Sequence, residues 1–201
     1  MADAGENPGK YIGGNEGGVI KSGGSYLENL TKYNQLFKAD KISELFSELK
    51  KTTAFPKMGK TSVKNHSVLE LEYKSRYGQN ATNYPYSKSN SVTDFKLEET
   101  GYFVRLYDNI DDIDSRWIFR IEDLRKYKSV EDMTEKLGLP NRPSKIALVE
   151  VPAGSILRKS TAGAQEWANG LKQTGGGIQY EVTKPQESWF QNLSNIEDFF
   201  K

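Results

Sequence analysis

The first part of the chain shows the apolar spacing of amphipathic helices. Between residues 25 and 37 the apolar positions recur every three or four residues, which is the period of one helix face. Ser25 is a suitable N-cap, and Glu28 completes a capping box with it. A second, shorter helix is predicted over residues 42–49, so that the two helices form a hairpin. Their apolar residues are Tyr26, Leu30, Tyr33 and Phe37, then Ile42, Leu45, Phe46 and Leu49.

The pattern changes after residue 90, where apolar and polar residues begin to alternate as they do in β-strands. The predicted strands cover residues 95–97, 102–107, 117–119, 146–151, 156–158 and 178–182. Ser129 predicts the start of a helix that stops at Gly138, and residues 195–200 predict a closing helical turn. The chain is therefore predicted to be an α+β protein, with a helical N-terminal region followed by a small, strongly bent, mostly antiparallel sheet.

Three regions follow from this pattern. Residues 1–24 predict a flexible leader, because paired glycines interrupt a polar segment that cannot build a core. Residues 25–90 form the predicted helical region; within it, residues 63–77 fit a helix or a strand, and a long polar loop is expected over residues 78–94. Residues 91–201 form the predicted C-terminal α+β domain. The glycine-rich start is expected for a piece cut from a longer polypeptide, and a plain disordered tail is the alternative interpretation.

Composition narrows the chemistry. The chain has 201 residues, of which 28 are basic and 27 acidic, so its formal charge is +1. A net charge this small creates no strong positive potential that would attract the chain to DNA. Cysteine is absent, which excludes disulfides, thiolate catalysis and cysteine metal sites. No apolar stretch is long enough to predict a membrane span.

A run of three glycines precedes the last predicted strand. Gly175, Gly176 and Gly177 permit a tight turn with positive φ, and the strand that follows delivers Gln179 at its first turn. A primary amide donates and accepts hydrogen bonds at once, which suits a polar ligand. The alternative is a β-hairpin corner with a surface glutamine.

Arginines on aromatic strands are the best candidates for binding an anion. Arg105 shares a strand face with Phe103 and Tyr107, and a guanidinium fork matches a pyrophosphate. Surface ion pairs with nearby carboxylates are the alternative role. Further candidates of the same kind, for anion binding or for ring stacking, are Arg116, Trp117, Arg120, Arg158 and Trp167.

Histidine and metal chemistry have weak support. His66 is the only histidine, and its polar surroundings favour a structural or exposed role. The acidic residues Asp108, Asp111, Asp112 and Asp114 lack the glycine and distal glutamate of an EF-hand, so a solvated turn and no metal site are predicted. The chain also lacks the Gly-x-Ser-x-Gly elbow of a serine hydrolase.

The order of motifs between residues 137 and 183 carries a resemblance. The motifs are Leu139-Pro140, Ile146 to Val151, Pro152, Gly154, Ser160-Thr161-Ala162-Gly163 and Gly175-Gly176-Gly177-Ile178-Gln179-Tyr180-Glu181. In this order they resemble the end of the tuberculosis-necrotizing-toxin family, secreted bacterial NAD+ glycohydrolases in which the equivalent of Gln179 is a catalytic-site residue. The chain departs from that family at Lys136-Leu137-Gly138, where an arginine is usual before the Leu-Pro turn, and it lacks the family's Asp-Arg-Phe-Gly opening.

The resemblance implies a polymorphic-toxin domain for bacterial competition. It would be secreted, act in the cytoplasm of a target cell, hydrolyse NAD+ to ADP-ribose and nicotinamide without a cofactor, and bind a cognate immunity protein. Gln179, Arg105 and Glu181 are the predicted catalytic residues, since Glu181 shares the strand face of Gln179. The predicted substrate-binding residues are Arg116, Trp117, Tyr107, Arg158, Ser160, Thr161, Gly176 and Gly177.

Two other classes of function stay open at this stage. A metal-independent RNase toxin also works with arginine, lysine, tyrosine and one histidine, although the balanced charge favours it less. A non-enzymatic interaction module would use the glycine run only as a hairpin corner.

Overall fold

Two antiparallel sheets and a short hairpin form the framework of the described chain. The computed structural model describes residues 32–33, 35–36, 42–51, 55–108, 115–168, 170–183 and 185–200. The predicted leader and most of the first predicted helix lie outside these residues. Lys32, Tyr33, Gln35 and Leu36, the described part of that helix, have helical backbone.

Four α-helices and ten strands are assigned within these ranges. The helices are α1 (Ile42–Lys51), α2 (His66–Tyr77), α3 (Ile121–Leu124) and α4 (Val130–Lys136). The strands are β1 (Met58–Lys64), β2 (Val92–Leu97), β3 (Gly101–Tyr107), β4 (Trp117–Ile118), β5 (Lys145–Val151), β6 (Ile156–Thr161), β7 (Gln165–Glu166), β8 (Lys172–Gln173), β9 (Ile178–Val182) and β10 (Phe190–Asn195). Two 3₁₀ turns, Glu187–Trp189 and Ile196–Phe199, flank β10.

The strand order explains how distant segments meet. The larger sheet runs β1-β2-β6-β9-β4, the smaller one runs β10-β5-β3, and β7 pairs with β8. All of these pairings are antiparallel. Val104 and Phe119 exchange backbone hydrogen bonds of 2.8 and 2.9 Å and so connect the two sheets. The predicted α+β class with antiparallel sheets is therefore confirmed.

Apolar side chains fill both faces of the smaller sheet. Strand β5 is almost entirely apolar because Ile146 and Leu148 face one core while Val149 and Val151 face the other. The first core also receives Leu45 and Phe46 from α1, and the second receives Tyr180 from β9. Each such side chain, fully buried, contributes about 1.5–3 kcal/mol. Helix α1 is thus part of the core.

The structure differs from the sequence prediction mainly before residue 90. Residues 63–77, predicted as either a helix or a strand, are the end of β1 followed by helix α2, whose N-cap Asn65 accepts a hydrogen bond from the Ser67 N–H. The region predicted as helical therefore also contains a strand, and β1 pairs with β2 across position 90. The predicted polar loop ends at Ser91. Helix α3 and strands β7 and β8 had no clear sequence signal because they span only four and two residues. Strand β10 had none because its sequence, FQNLSN, does not alternate apolar and polar residues.

Candidate functional site

Gln179 lies in the wall of a cavity of about 280 Å³, called here the main cavity. Among the residues that line it are six side chains able to contact a ligand through a charge, an amide or an aromatic ring: Arg105, Tyr107, Trp117, Gln165, Trp167 and Gln179. Four of these six residues were predicted as site residues from the sequence. Strands β3, β4, β7 and β9 deliver them, so the cavity depends on both sheets and on the hairpin.

The amide of Gln179 is held in one orientation. The side chain is buried, and its Nε2 donates a 2.8 Å hydrogen bond to the backbone carbonyl of Pro85. The nitrogen therefore points toward Pro85, and Oε1 is the end of the amide left to accept a hydrogen bond from a ligand. Ser160 lies directly opposite on β6, and its buried Oγ has no hydrogen-bond partner among the described residues. Thr161, the next residue, pairs with Ile178.

The glycine run has a structural role at the start of β9. Gly175 and Gly176 have φ of +67° and +98°. Their N–H groups donate to the carbonyls of Glu135 and Ala162, and the Gly177 N–H donates to Lys136 O across 2.7 Å. Because these donors are used inside the protein, they are not free for substrate. Gly176 and Gly177 line a separate cavity beside Tyr127 and Lys136, so the structure does not bring them together with Gln179.

Arg105 and Trp117 face the main cavity from neighbouring strands. Arg105 is half-buried, and its Nη1 donates to the Trp117 carbonyl oxygen at 3.4 Å. Tyr107 is buried on the same strand, and burial raises the pKa of its phenol. This part of the wall therefore combines the positive charge of Arg105 with aromatic surface, and the carboxylate-bearing Asp108 lines the same cavity.

Glu181 is the centre of a buried ion-pair cluster. Arg76 Nη1 donates to its carboxylate at 2.7 Å, and nitrogens of Arg116 and Arg158 lie 3.7 Å away. Tyr86 also donates a short hydrogen bond to it. Burial, followed by the Glu181 charge, raises the pKa of Tyr86 well above its ordinary value, so this phenol stays protonated. Glu181 lines neither the main cavity nor the one beside it, and its contacts are those of a structural anchor.

A second cavity of about 280 Å³ adjoins the main one and shares Trp117 and Trp167 with it. Arg76 and Arg158 supply its positive charge. Arg158 is held by Asp94, through a 2.9 Å bond from Nε, and by Glu72, through a 3.0 Å bond from Nη1. The guanidinium is thus fixed in place, and all three of its nitrogens donate to carboxylates, since Nη2 also donates to Asp94 Oδ2 across 3.4 Å.

His66 lies away from both cavities and both of its ring nitrogens are engaged. Nε2 lies 2.9 Å from the Asn90 carbonyl oxygen, which only accepts, so this nitrogen carries the proton. In the neutral ring Nδ1 then accepts from the Tyr84 hydroxyl at 2.9 Å. Burial raises the pKa of Tyr84 to about 12, which keeps that donor protonated. The histidine holds helix α2 against the following loop.

Within the described ranges, no group of three or more histidine, cysteine, aspartate or glutamate side chains is arranged to hold a metal ion. Asp111, Asp112 and Asp114 of the predicted acidic turn lie outside those ranges. No described helix is both long enough and apolar enough to cross a membrane.

Sequence reasoning missed three contributors. Arg76 lies on a helix that the sequence pattern did not resolve, and Tyr86 lies in a segment predicted as a loop. Gln165 belongs to a strand of two residues, which is too short for a periodic signal. Their common feature is that the tertiary structure alone brings them to the cavities.

Comparisons of the chain with protein-family models, curated proteins and solved structures found no match.

Proposed function

We propose that this chain is an NAD+ glycohydrolase domain, which hydrolyses NAD+ to ADP-ribose and nicotinamide. It acts as a toxin domain of a larger secreted bacterial protein, in the cytoplasm of a target cell. The resemblance between residues 137 and 183 motivates the proposal. The observation that carries it is that Gln179 and Arg105, 74 residues apart in the sequence numbering, line one cavity together with two tryptophans.

The size and charge of the two cavities fit a dinucleotide. Each has a volume of about 280 Å³, just below the roughly 300–1,000 Å³ of small-molecule sites, so a dinucleotide would have to occupy both cavities. The aromatic main cavity suits the nicotinamide riboside half. Arg105 lines one cavity, Arg158 lines the other and Trp117 lines both, so a pyrophosphate that bridged the two cavities beside Trp117 would lie between the two guanidinium groups.

The reaction needs few protein groups. The C1′–N bond of the nicotinamide riboside breaks, the leaving ring takes the bonding electron pair, and an oxocarbenium-like ribose accepts water at C1′. One proton is released, and the products are nicotinamide and ADP-ribose. In this site Gln179 Oε1 would accept a hydrogen bond from the ribose or the water, and the fixed arginines would hold the phosphates so that the ribose is correctly placed.

A protein inhibitor is proposed on the resemblance alone. Toxins of this family are made together with an immunity protein that protects the producing cell, and we expect a tight complex between the chain and such a partner.

The test is an incubation of the purified full chain with NAD+, with separation of the nicotinamide and ADP-ribose formed. Total RNA, incubated in parallel, tests the nuclease alternative. Release of equal amounts of nicotinamide and ADP-ribose, lost in Gln179→Ala, would support the proposal. RNA cleavage without NAD+ loss would contradict it, as would a chain that changes neither substrate.

A further inference from the structure

Two residues that line the main cavity each carry a buried hydrogen-bonding atom that has no protein partner among the described residues. These atoms are Oε1 of Gln165 and Nε1 of Trp167. One is an acceptor and the other is a donor. Leaving such groups unpaired costs about 1–3 kcal/mol each, so a ligand that satisfied both would gain binding free energy from them.

The orientation of the Gln165 amide follows from its neighbours. Its Nε2 lies 2.8 Å from the carbonyl oxygen of Tyr84 and 3.4 Å from that of Gly163. Both neighbours are acceptors, so the end of the amide that faces them is the NH₂ group and the oxygen is the unpaired end. Only 7% of Gln165 is exposed, which places that oxygen out of reach of bulk water.

The two residues are also held in position. Strand β7 pairs with β8, and Gln165 lies opposite Gln173. The backbone N–H of Trp167 donates to the Leu171 carbonyl at 2.9 Å. Gln165 and Trp167 are separated by two positions, so in an extended segment they point to the same side, with Cα atoms about 7 Å apart. Gly138, with φ of +64°, packs so closely on Gln165 that a Cβ there would lie 3.0 Å from its Cγ.

We infer that Gln165 and Trp167 recognise the primary carboxamide of the nicotinamide ring in the main cavity. The carboxamide oxygen accepts from Trp167 Nε1, and its NH₂ group donates to Gln165 Oε1. A planar group with one acceptor and one donor satisfies both unpaired atoms, whereas a carboxylate would repel the Gln165 oxygen. The inference rests on the proposed function for the identity of the ligand, and it assigns the nicotinamide end to the β7 side of the cavity.

The test compares NAD+ with 3-acetylpyridine adenine dinucleotide, which keeps the carbonyl but lacks the NH₂ group. Gln165→Met should lower kcat/KM about tenfold for NAD+ and leave it nearly unchanged for the analogue. Trp167→Phe, which removes the N–H donor together with the pyrrole ring, should lower kcat/KM at least about tenfold for both substrates. Trp189→Phe is the matched control, because Trp189 packs against the second core away from the cavity. Equal losses of Gln165→Met on the two substrates would overturn the inference.

A binding measurement separates this inference from the proposed function. Free nicotinamide should bind wild type at least about tenfold more tightly than nicotinate does, and should bind Trp167→Phe more weakly. If nicotinamide is preferred but NAD+ is not hydrolysed, the proposed function fails and the carboxamide site stands. If NAD+ is hydrolysed but nicotinamide and nicotinate bind alike, the carboxamide site fails and the proposed function stands. This comparison requires only wild type, so it holds even if Gln165→Met does not fold.

Discussion

Arg76 on helix α2 donates a 2.7 Å hydrogen bond to Glu181 on strand β9, and this bond joins segments separated by 105 residues. Glu181 is two positions after Gln179 on the same strand, so the ion-pair cluster fixes the strand that presents the amide to the main cavity. Helix α2 is therefore structurally coupled to the candidate site, although it belongs to the N-terminal half of the chain.

The first prediction concerns this cluster. Glu181→Gln removes the charge that three arginines share, and breaking a buried ion pair from one side costs about 3–5 kcal/mol. We expect a loss of that size in the free energy of unfolding, measured with urea. Glu72→Gln is the control, because Glu72 is an exposed partner of Arg158. This variant should lower the free energy of unfolding by only about 0–1 kcal/mol. Full stability of Glu181→Gln together with complete loss of NAD+ hydrolysis would instead indicate a catalytic carboxylate.

The second prediction separates the chemistry of Gln179 from its packing. Gln179→Ala should abolish NAD+ hydrolysis and reduce the free energy of unfolding by about 0.5–1.5 kcal/mol, because the Pro85 carbonyl loses one of its two donors and keeps the Gly163 N–H. Gln173→Ala is a matched control: this buried glutamine donates to the Leu139 carbonyl at 3.2 Å and lines neither cavity. It should show a similar stability loss and retain activity. Retention of full activity by Gln179→Ala would contradict the assignment of the site.

The third prediction distinguishes two arginines. Arg105→Lys should lower kcat/KM for NAD+ by about 10–100-fold with little change in Tm, because a point charge does not replace a bidentate fork. Arg158→Lys should lower both kcat/KM and Tm, since lysine cannot keep the bonds to Asp94 and Glu72. Two variants as active as wild type would show that neither side chain binds the pyrophosphate.

The fourth prediction concerns the glycine run. Gly175→Ala would place a Cβ 2.6 Å from the Ala162 carbonyl oxygen at φ of +67°, so we expect a loss of at least about 3 kcal/mol in urea unfolding. In Gly176→Ala the added Cβ would meet no atom within 4 Å, but the residue has a φ of +98°. We therefore expect a loss of about 1–3 kcal/mol in the free energy of unfolding. Activity should survive in Gly176→Ala, because its backbone does not line the main cavity. Equal stability losses in the two variants would contradict the described corner.

The fifth prediction is a pH profile. His66 lines neither cavity, and the main cavity is lined by no histidine, so NAD+ hydrolysis should be flat between about pH 6 and 8. His66→Ala should retain NAD+ hydrolysis, assayed below its melting temperature. A bell-shaped profile near neutrality, lost in the His66 variant, would favour the nuclease instead.

Local pattern was sufficient for several of the elements that carry the site, β9 among them. The alternation in Ile178-Gln179-Tyr180-Glu181-Val182 predicts a strand with Gln179 and Glu181 on one face, and the structure has β9 over these five residues. Helix α4, its Ser129 cap and strands β3 and β5 were predicted in the same way. These features depend on residues close in sequence, since capping and strand alternation are local effects.

By itself, then, the sequence determined the class of fold, the approximate positions of β2, β3, β4, β5, β6, β9 and α4, and the face on which Gln179 lies. The tertiary structure alone decided that β9 sits between β6 and β4, and that pairing places Arg158 and Trp117 on either side of Glu181. It also decided that Arg76 neutralises Glu181, and that Gln165 and Trp167 complete the wall beside Gln179. The physical reason is that strand order and long-range ion pairs arise from the packing of the whole core, which no local period of apolar residues encodes.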